Sequence, residues 1–167
     1  AGPNNLTVLA DDMHLEEIKE KYNSVGKPFY FTKAKIVDEE GNEVGANQRG
    51  ELIWSSPAIF SGYWNNERET SEVLVDGWVH TGDIAKKDKD GFYYIVGRKK
   101  NMFISGGENI FPQEIEHEIY KHPAVYEVCV IGVPDKKWGE VGKAVITLKE
   151  GKSIDAKEIK KFLIGKI

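Results

Sequence analysis

The sequence predicts an α+β chain in which a small β-barrel-like part precedes a small α+β part, and three features carry that expectation. Asp88-Lys89-Asp90-Gly91 separates two apolar runs, Gly77–Ile84 and Phe92–Val96, and an Asp-Gly turn between such runs is a strong hairpin signal. From Pro28 to Val96, turn residues punctuate short runs of strand formers. Beyond Lys100 the pattern changes to helical spacing mixed with strands.

Taken in order, Ala1–Thr7 reads as turn or loop around a Gly-Pro pair, and Asp12–Lys21 as a short polar helix. Phe29–Val37 is a strand candidate, followed by a turn at Asp38–Asn42. Gly50–Ser55 is another, with Leu52 and Trp54 on one face. Asn65 or Asn66 can cap a helix running through Leu74, since Glu67 and Glu69 suit the positive end of its dipole. The hairpin follows. Met102–Ile104 reads as a short strand and Gly106-Gly107 as a loop. Pro112 suits a first helical turn, and Ile115 and Ile119 make an i, i+4 contact ahead of His122-Pro123. Val125–Val133 and Gly142–Leu148 are strands. Asp155 and Glu158 form a capping-box-like pair before Ile159, Phe162 and Leu163, which share a helical face.

Bulk properties exclude several classes. The 167 residues suffice for one compact domain or two small ones. No apolar run is long enough to cross a bilayer, and no charged-then-apolar leader opens the chain. A net charge of −4 offers no general attraction for nucleic acid or an anionic membrane. The single cysteine, Cys129, rules out an internal disulfide framework and fits a reducing cytoplasm. Its apolar setting, Val128-Cys129-Val130-Ile131, points to the core rather than to a reactive thiol. No paired-cysteine or two-histidine metal spacing occurs, so no metal site is expected.

The hairpin is where chemistry concentrates. Its strands are expected to bring Thr81-Gly82-Asp83 near Gly97-Arg98, on the side away from the turn. A carboxylate accepts two hydrogen bonds and matches vicinal hydroxyls, while a guanidinium offers a fork of donors for hydroxyl or phosphate oxygens. Together with glycine-flanked backbone they suit a sugar-phosphate or nucleotide. The bland alternatives are a solvated strand-end aspartate and a surface arginine. His80 invites an acid–base role, but a satisfied structural histidine is the better reading. Glu114 and Glu116 lie two residues apart on a helix, hence on different faces, which argues against a paired-carboxylate site.

A series of motifs from Gly50 to Glu140 resembles the acyl-adenylate-forming enzymes: acyl-CoA synthetases, peptide-synthetase adenylation domains and luciferases. The motifs are Gly50-Glu51-Leu52, Gly62-Tyr63-Trp64, Trp78–Asp83, Gly97-Arg98-Lys99-Lys100, Gly106–Ile110, Pro112–Glu116 and Val133–Glu140. Each is weak alone, and their shared order makes accident very improbable. The resemblance implies that residues 1–99 are the C-terminal part of a large AMP-binding domain and 100–167 a truncated small mobile domain. It also implies that the chain opens just after a nucleotide-binding motif of the large domain.

By the same resemblance, Asp83 binds the ribose of ATP, Arg98 contacts the nucleotide, and Tyr94 lies near the adenine unless it is plain core. Lys100 aligns with the hinge, where a solvated lysine pair with Lys99 is the competitor. Gly106 and Gly107 line the pantetheine passage unless they form an ordinary turn. Trp138 stacks on the CoA adenine or simply packs. The terminal lysine that serves adenylation is not matched, and Lys166 falls too early for it, so no catalytic residue is assigned.

The implied parent is an AMP-forming fatty-acyl-CoA ligase using ATP, Mg2+ and CoA, with a homodimer left open and this chain inactive alone. The alternatives are an aryl or o-succinylbenzoate-type CoA ligase, a non-catalytic partner-binding module on the same fold, and luciferase-like oxygenation.

Overall fold

The computed structural model describes residues 7, 8, 21 and 23–167. The helix expected over 12–21 therefore lies almost wholly outside the described residues. The chain forms two compact units that divide between Val96 and Gly97.

In the first unit, β1 (Thr7–Val8) pairs antiparallel with β2 (Lys27–Pro28). A curled five-stranded sheet then uses β3 (Lys33–Val37) and β4 (Arg49–Ser55). Helix α1 (Glu67–Val73) leads into β5 (Leu74–Val75), β6 (Trp78–Lys87) and β7 (Tyr93–Arg98), whose last two residues belong to the second unit. The order is β3-β4-β6-β5, with β7 also on β6. Ile36, Leu52, Ala85 and Tyr93 make the core, and the Tyr93 hydroxyl donates to the Ala34 carbonyl at 2.9 Å. This satisfies the one polar atom that the ring carries into the interior.

Two expectations are refined here. Asn66, not Asn65, caps α1, its Oδ1 accepting from the Glu69 N–H at 3.2 Å. The strand expected from Phe29 begins only at Lys33, because Phe29–Thr32 is a turn closed by the Thr32 N–H on the Phe29 carbonyl.

The second unit opens with a one-turn 3-10 helix, Lys99–Asn101. It continues as β8 (Phe103–Ser105), β9 (Glu108–Ile110), α2 (Pro112–Tyr120), β10 (Val125–Asp135), β11 (Gly139–Leu148) and α3 (Ala156–Leu163). The sheet order is β10-β11-β8-β9. Phe103, Ile119, Val125, Val128, Val130 and Ile159 form its core, with Ile115, Ile146 and Leu163 packed against them. The Asp155 side chain caps α3 by accepting from the Glu158 N–H at 2.8 Å. On the β10 edge, the Val130 N–H donates to Glu116 Oε1 at 2.7 Å, so a helix side chain satisfies a strand donor.

Cys129 is a correction: it is exposed rather than buried. The apolar run hides an alternation in which Val128 and Val130 face the core, while Cys129 and Ile131 face outward. Gly106-Gly107 is also more than a loop: it is the two-residue turn of a β8–β9 hairpin, with Ser105 opposite Glu108.

Candidate nucleotide and thiol sites

Thr81-Gly82-Asp83 does not end a strand; it forms a bulge in the middle of β6. Glu51 pairs with Ile84 and Ile53 with His80, so the three residues 81–83 oppose Leu52 alone. Gly82 supplies the left-handed φ of 69° that the bulge requires. Side chains replace the lost ladder bonds. Thr81 Oγ1 donates to the Leu52 carbonyl at 2.6 Å and accepts from the Asp83 N–H at 3.0 Å. The Gly82 N–H donates to Glu51 Oε1 at 3.1 Å, and Glu51 Oε2 lies 3.4 Å from His80 Nδ1. His80 therefore has a structural partner. Asp83 is half-buried on this frame. Sequence reasoning missed the supporting roles of Glu51 and Thr81; Gly82 was the only local signal for the bulge.

Tyr94 has a partner on its own hairpin. Its hydroxyl donates to Asp88 Oδ2 at 3.0 Å, at the Asp88–Gly91 turn that the sequence anticipated. Burial, followed by that bond, raises its pKa. Lys21 Nζ lies 2.7 Å from both Asp88 Oδ2 and Asp90 Oδ2, and these bonds hold the ammonium above its ordinary pKa. Burial of Asp88 works against its ionisation, but bonds from Lys21, the Phe92 N–H and Tyr94 outweigh it and leave the carboxyl below its usual pKa.

Asp83 and Tyr94 thus belong to the first unit. Arg98, Lys100, Gly106, Gly107 and Trp138 belong to the second. Arg98 and Lys100 are exposed at the 3-10 turn, where Arg98 is the N-cap residue without a side-chain cap bond.

The structure brings two of these residues together. Gly106 and Gly107 hold φ at 59° and 89°, the left-handed pair that a tight two-residue hairpin needs. The Trp138 indole lies over Gly106, where an added Cβ would stand 2.8 Å from its ring, and the Gly106 N–H donates to the Trp138 carbonyl at 2.9 Å. Asp135 Oδ1 shapes the β10–β11 connection by accepting from the Lys137 and Trp138 N–H groups at 2.8 and 2.9 Å. Lys137 Nζ sits 4.4 Å from the centre of the half-exposed indole. A glycine turn, an aromatic face and an ammonium therefore share one surface. That combination can hold a flat or anionic group.

Among the described residues no group of three or more His, Cys, Asp or Glu could hold a metal ion, and no helix is long and apolar enough to cross a membrane.

Comparison with known proteins identifies the family of the chain. The family described as AMP-binding enzyme matches residues 2–64, and the AMP-binding enzyme C-terminal domain matches residues 114–167. A feruloyl-CoA synthase from Amycolatopsis is 46% identical over 87% of this chain and 30% of its own length. A medium/long-chain-fatty-acid–CoA ligase of Mycobacterium tuberculosis is 45% identical over 92% of this chain and 26% of its own. The o-succinylbenzoate CoA synthetase of Bacillus subtilis, solved with its acyl-adenylate intermediate, superposes with a TM-score of 0.88. It is 34% identical over 97% of this chain and 32% of that one. The chain thus spans about 30% of the length of the relatives it matches. With both domain patterns matched in their expected order, the chain belongs to the adenylate-forming, AMP-binding enzyme superfamily, in its acyl-CoA synthetase branch.

Proposed function

We propose that this chain supplies the ribose-binding and thiol-facing parts of an ATP-dependent, AMP-forming acyl-CoA synthetase. In the first step a carboxylate oxygen attacks the α-phosphorus of Mg·ATP, and pyrophosphate leaves. In the second, the CoA sulfur attacks the acyl carbonyl and AMP leaves. ATP, CoA and the acid are substrates, and Mg2+ arrives with ATP.

The observation that carries this reading is the bulge at Thr81-Gly82-Asp83. It fixes the backbone that carries Asp83, through the Asp83 N–H on Thr81 Oγ1, and a carboxylate there suits two neighbouring ribose hydroxyls. Arg98 contacts the nucleotide, and Tyr94 supports the hairpin near it. Gly106, Gly107 and Trp138 line the pantetheine passage, with the indole against the CoA adenine. Residues 1–99 act as the end of the large domain and 100–167 as the small mobile one, rotating about Lys100. An exposed, one-turn 3-10 segment without a side-chain cap is a place where backbone rotation breaks no core.

A fatty acid is the favoured acid. Identities of 46% to a feruloyl-CoA synthase and 45% to a fatty-acid–CoA ligase keep an aryl acid as the second reading.

The test is AMP release from ATP with CoA and a panel of fatty and aromatic acids. It uses this chain beside the longer protein that carries it. Activity is expected only in the longer protein. There Asp83→Ala should lower kcat/KM for ATP tenfold or more, since a ligand hydrogen bond to a charged group contributes about 1.5–3 kcal/mol. If the triple variant D83A/R98A/K100A matches wild type, the site assignment fails and a partner-binding module on the same fold takes its place.

A further inference from the structure

The turn between β2 and β3 holds three aromatic rings in water. The Thr32 N–H donates to the Phe29 carbonyl at 3.0 Å, and φ is positive at Phe31 (64°) but not at Tyr30. This is the pattern of a type II turn, whose third position favours glycine. A bulky residue there is a genuine outlier, and such outliers cluster at functional sites. The ring gains no packing in exchange: Phe31 is 86% exposed, Tyr30 79% and Phe29 43%. Phe29 and Tyr30 meet edge to face at 5.4 Å, which makes them one wedge rather than two loose rings.

The charge along this stretch of sequence is one-sided. Residues 23–37 contain Lys27, Lys33 and Lys35 and no carboxylate, within a chain whose net charge is −4. Lys27 and Lys33 are exposed within two residues of the rings on either side, and the Lys27 ammonium rests 4.5 Å from the centre of the Phe92 ring, from which it must swing out to meet a phosphate. Aromatic rings settle at the headgroup level of a bilayer, while lysines reach for lipid phosphates. The overall negative charge removes long-range attraction. Binding must then come from the rings and lysines together, within a Debye length of about 8–10 Å.

We propose that Phe29-Tyr30-Phe31, with Lys27 and Lys33, is an interfacial docking element that inserts into an anionic lipid surface. The proposal is independent of the ligase reading, because it uses none of that site's residues.

Co-sedimentation with vesicles tests it, comparing phosphatidylcholine alone with phosphatidylcholine plus phosphatidylglycerol, for this chain and for the longer protein. Both proteins should partition onto the mixed vesicles and much less onto the neutral ones. The double variant Y30S/F31G should lose at least tenfold in partitioning. Its melting temperature should hold, because glycine fits the φ that Phe31 strains to adopt. Lys33→Gln should weaken partitioning about fivefold, the value of one lysine at an anionic surface. Three results would overturn the proposal: no partitioning of wild type onto either vesicle, partitioning unchanged in the double variant, or partitioning by this chain but not by the longer protein. So would a dimer in sedimentation velocity that the double variant abolishes, since the rings would then serve a second copy.

Discussion

Asp83 and Trp138 both stand on hairpins, yet the two units hold them by different means. In the first unit side chains do the holding. Thr81 Oγ1 and Glu51 Oε1 replace backbone partners around the bulge, and Glu51 is itself braced by His80. In the second unit backbone does it. Gly106 and Gly107 adopt left-handed φ, and the indole rests where Gly106 has no Cβ. A polar network loses one bond at a time. A close approach of backbone fails as soon as a methyl is added. The two units should therefore break differently under mutation.

Glycine substitutions in the second unit should give the largest losses, graded by what a Cβ would meet. At Gly132 it would stand 2.6 Å from Phe103 Cβ and 2.8 Å from its Cγ, and Phe103 is a core residue. Gly132→Ala should cost about 3 kcal/mol, the upper end of overpacking. Gly106→Ala meets the Trp138 ring and also the strained φ, but the half-exposed indole can yield, so about 2 kcal/mol is expected. Gly107→Ala meets nothing within 4 Å and should cost only the backbone term, about 1 kcal/mol. Denaturant unfolding followed by far-UV circular dichroism gives the order. If Gly107→Ala costs as much as Gly106→Ala, contact with the indole is not what makes glycine necessary there.

In the first unit the corresponding test is Thr81→Val, which keeps the branched shape and removes the hydroxyl. The Leu52 carbonyl and Asp83 N–H both lose a partner, for an expected cost of about 2 kcal/mol. Thr81→Ser retains the oxygen and should cost less than about 1 kcal/mol. Hydrogen exchange at the Asp83 amide should accelerate in the valine variant alone. Equal behaviour of the two variants would mean that the hydroxyl does not hold the bulge.

What the sequence made legible was local. The Asp88–Gly91 turn, the caps at Asn66 and Asp155, Pro112 at a helix start and the shared core cluster of Ile115 and Ile119 each depend on residues a few positions apart. What it hid was long-range. The bulge depends on Leu52, 29 residues before Thr81, and only Gly82 hinted at it. Cys129 turned outward because strand register, not the apolar character of its neighbours, decides which face a side chain takes. Resemblance supplied Gly106 and Trp138 as separate residues. Their contact, across 32 positions, needed the fold.

The smallest expected effect concerns the first unit's hairpin turn, where charge rather than packing ties Lys21 to Asp88 and Asp90. The Asp88 carboxyl is below its ordinary pKa of 3.8 in the fold, so its contribution is present above that value and fades as the pH falls through the lowered one. Lys21 is raised, mainly by its bonds to Asp88 and Asp90, so its contribution is complete below the ordinary 10.5 and is lost as the pH rises through the raised value. Tyr94, raised first by burial and then by Asp88, adds to the alkaline loss, because its neutral form is the one the fold prefers. Stability from this cluster should therefore be level from about pH 5 to 9 and decline on both sides. Carboxyl NMR titration resolves the acid limb. Lys21→Met should move the Asp88 pKa upward with little change in melting temperature at pH 7, since a partly exposed ion pair is screened by solvent. An Asp88 titration unmoved by Lys21→Met would mean that the Phe92 N–H and the Tyr94 hydroxyl alone hold the carboxylate. The turn would then be organised by the hairpin itself, and Lys21 would contribute nothing to it.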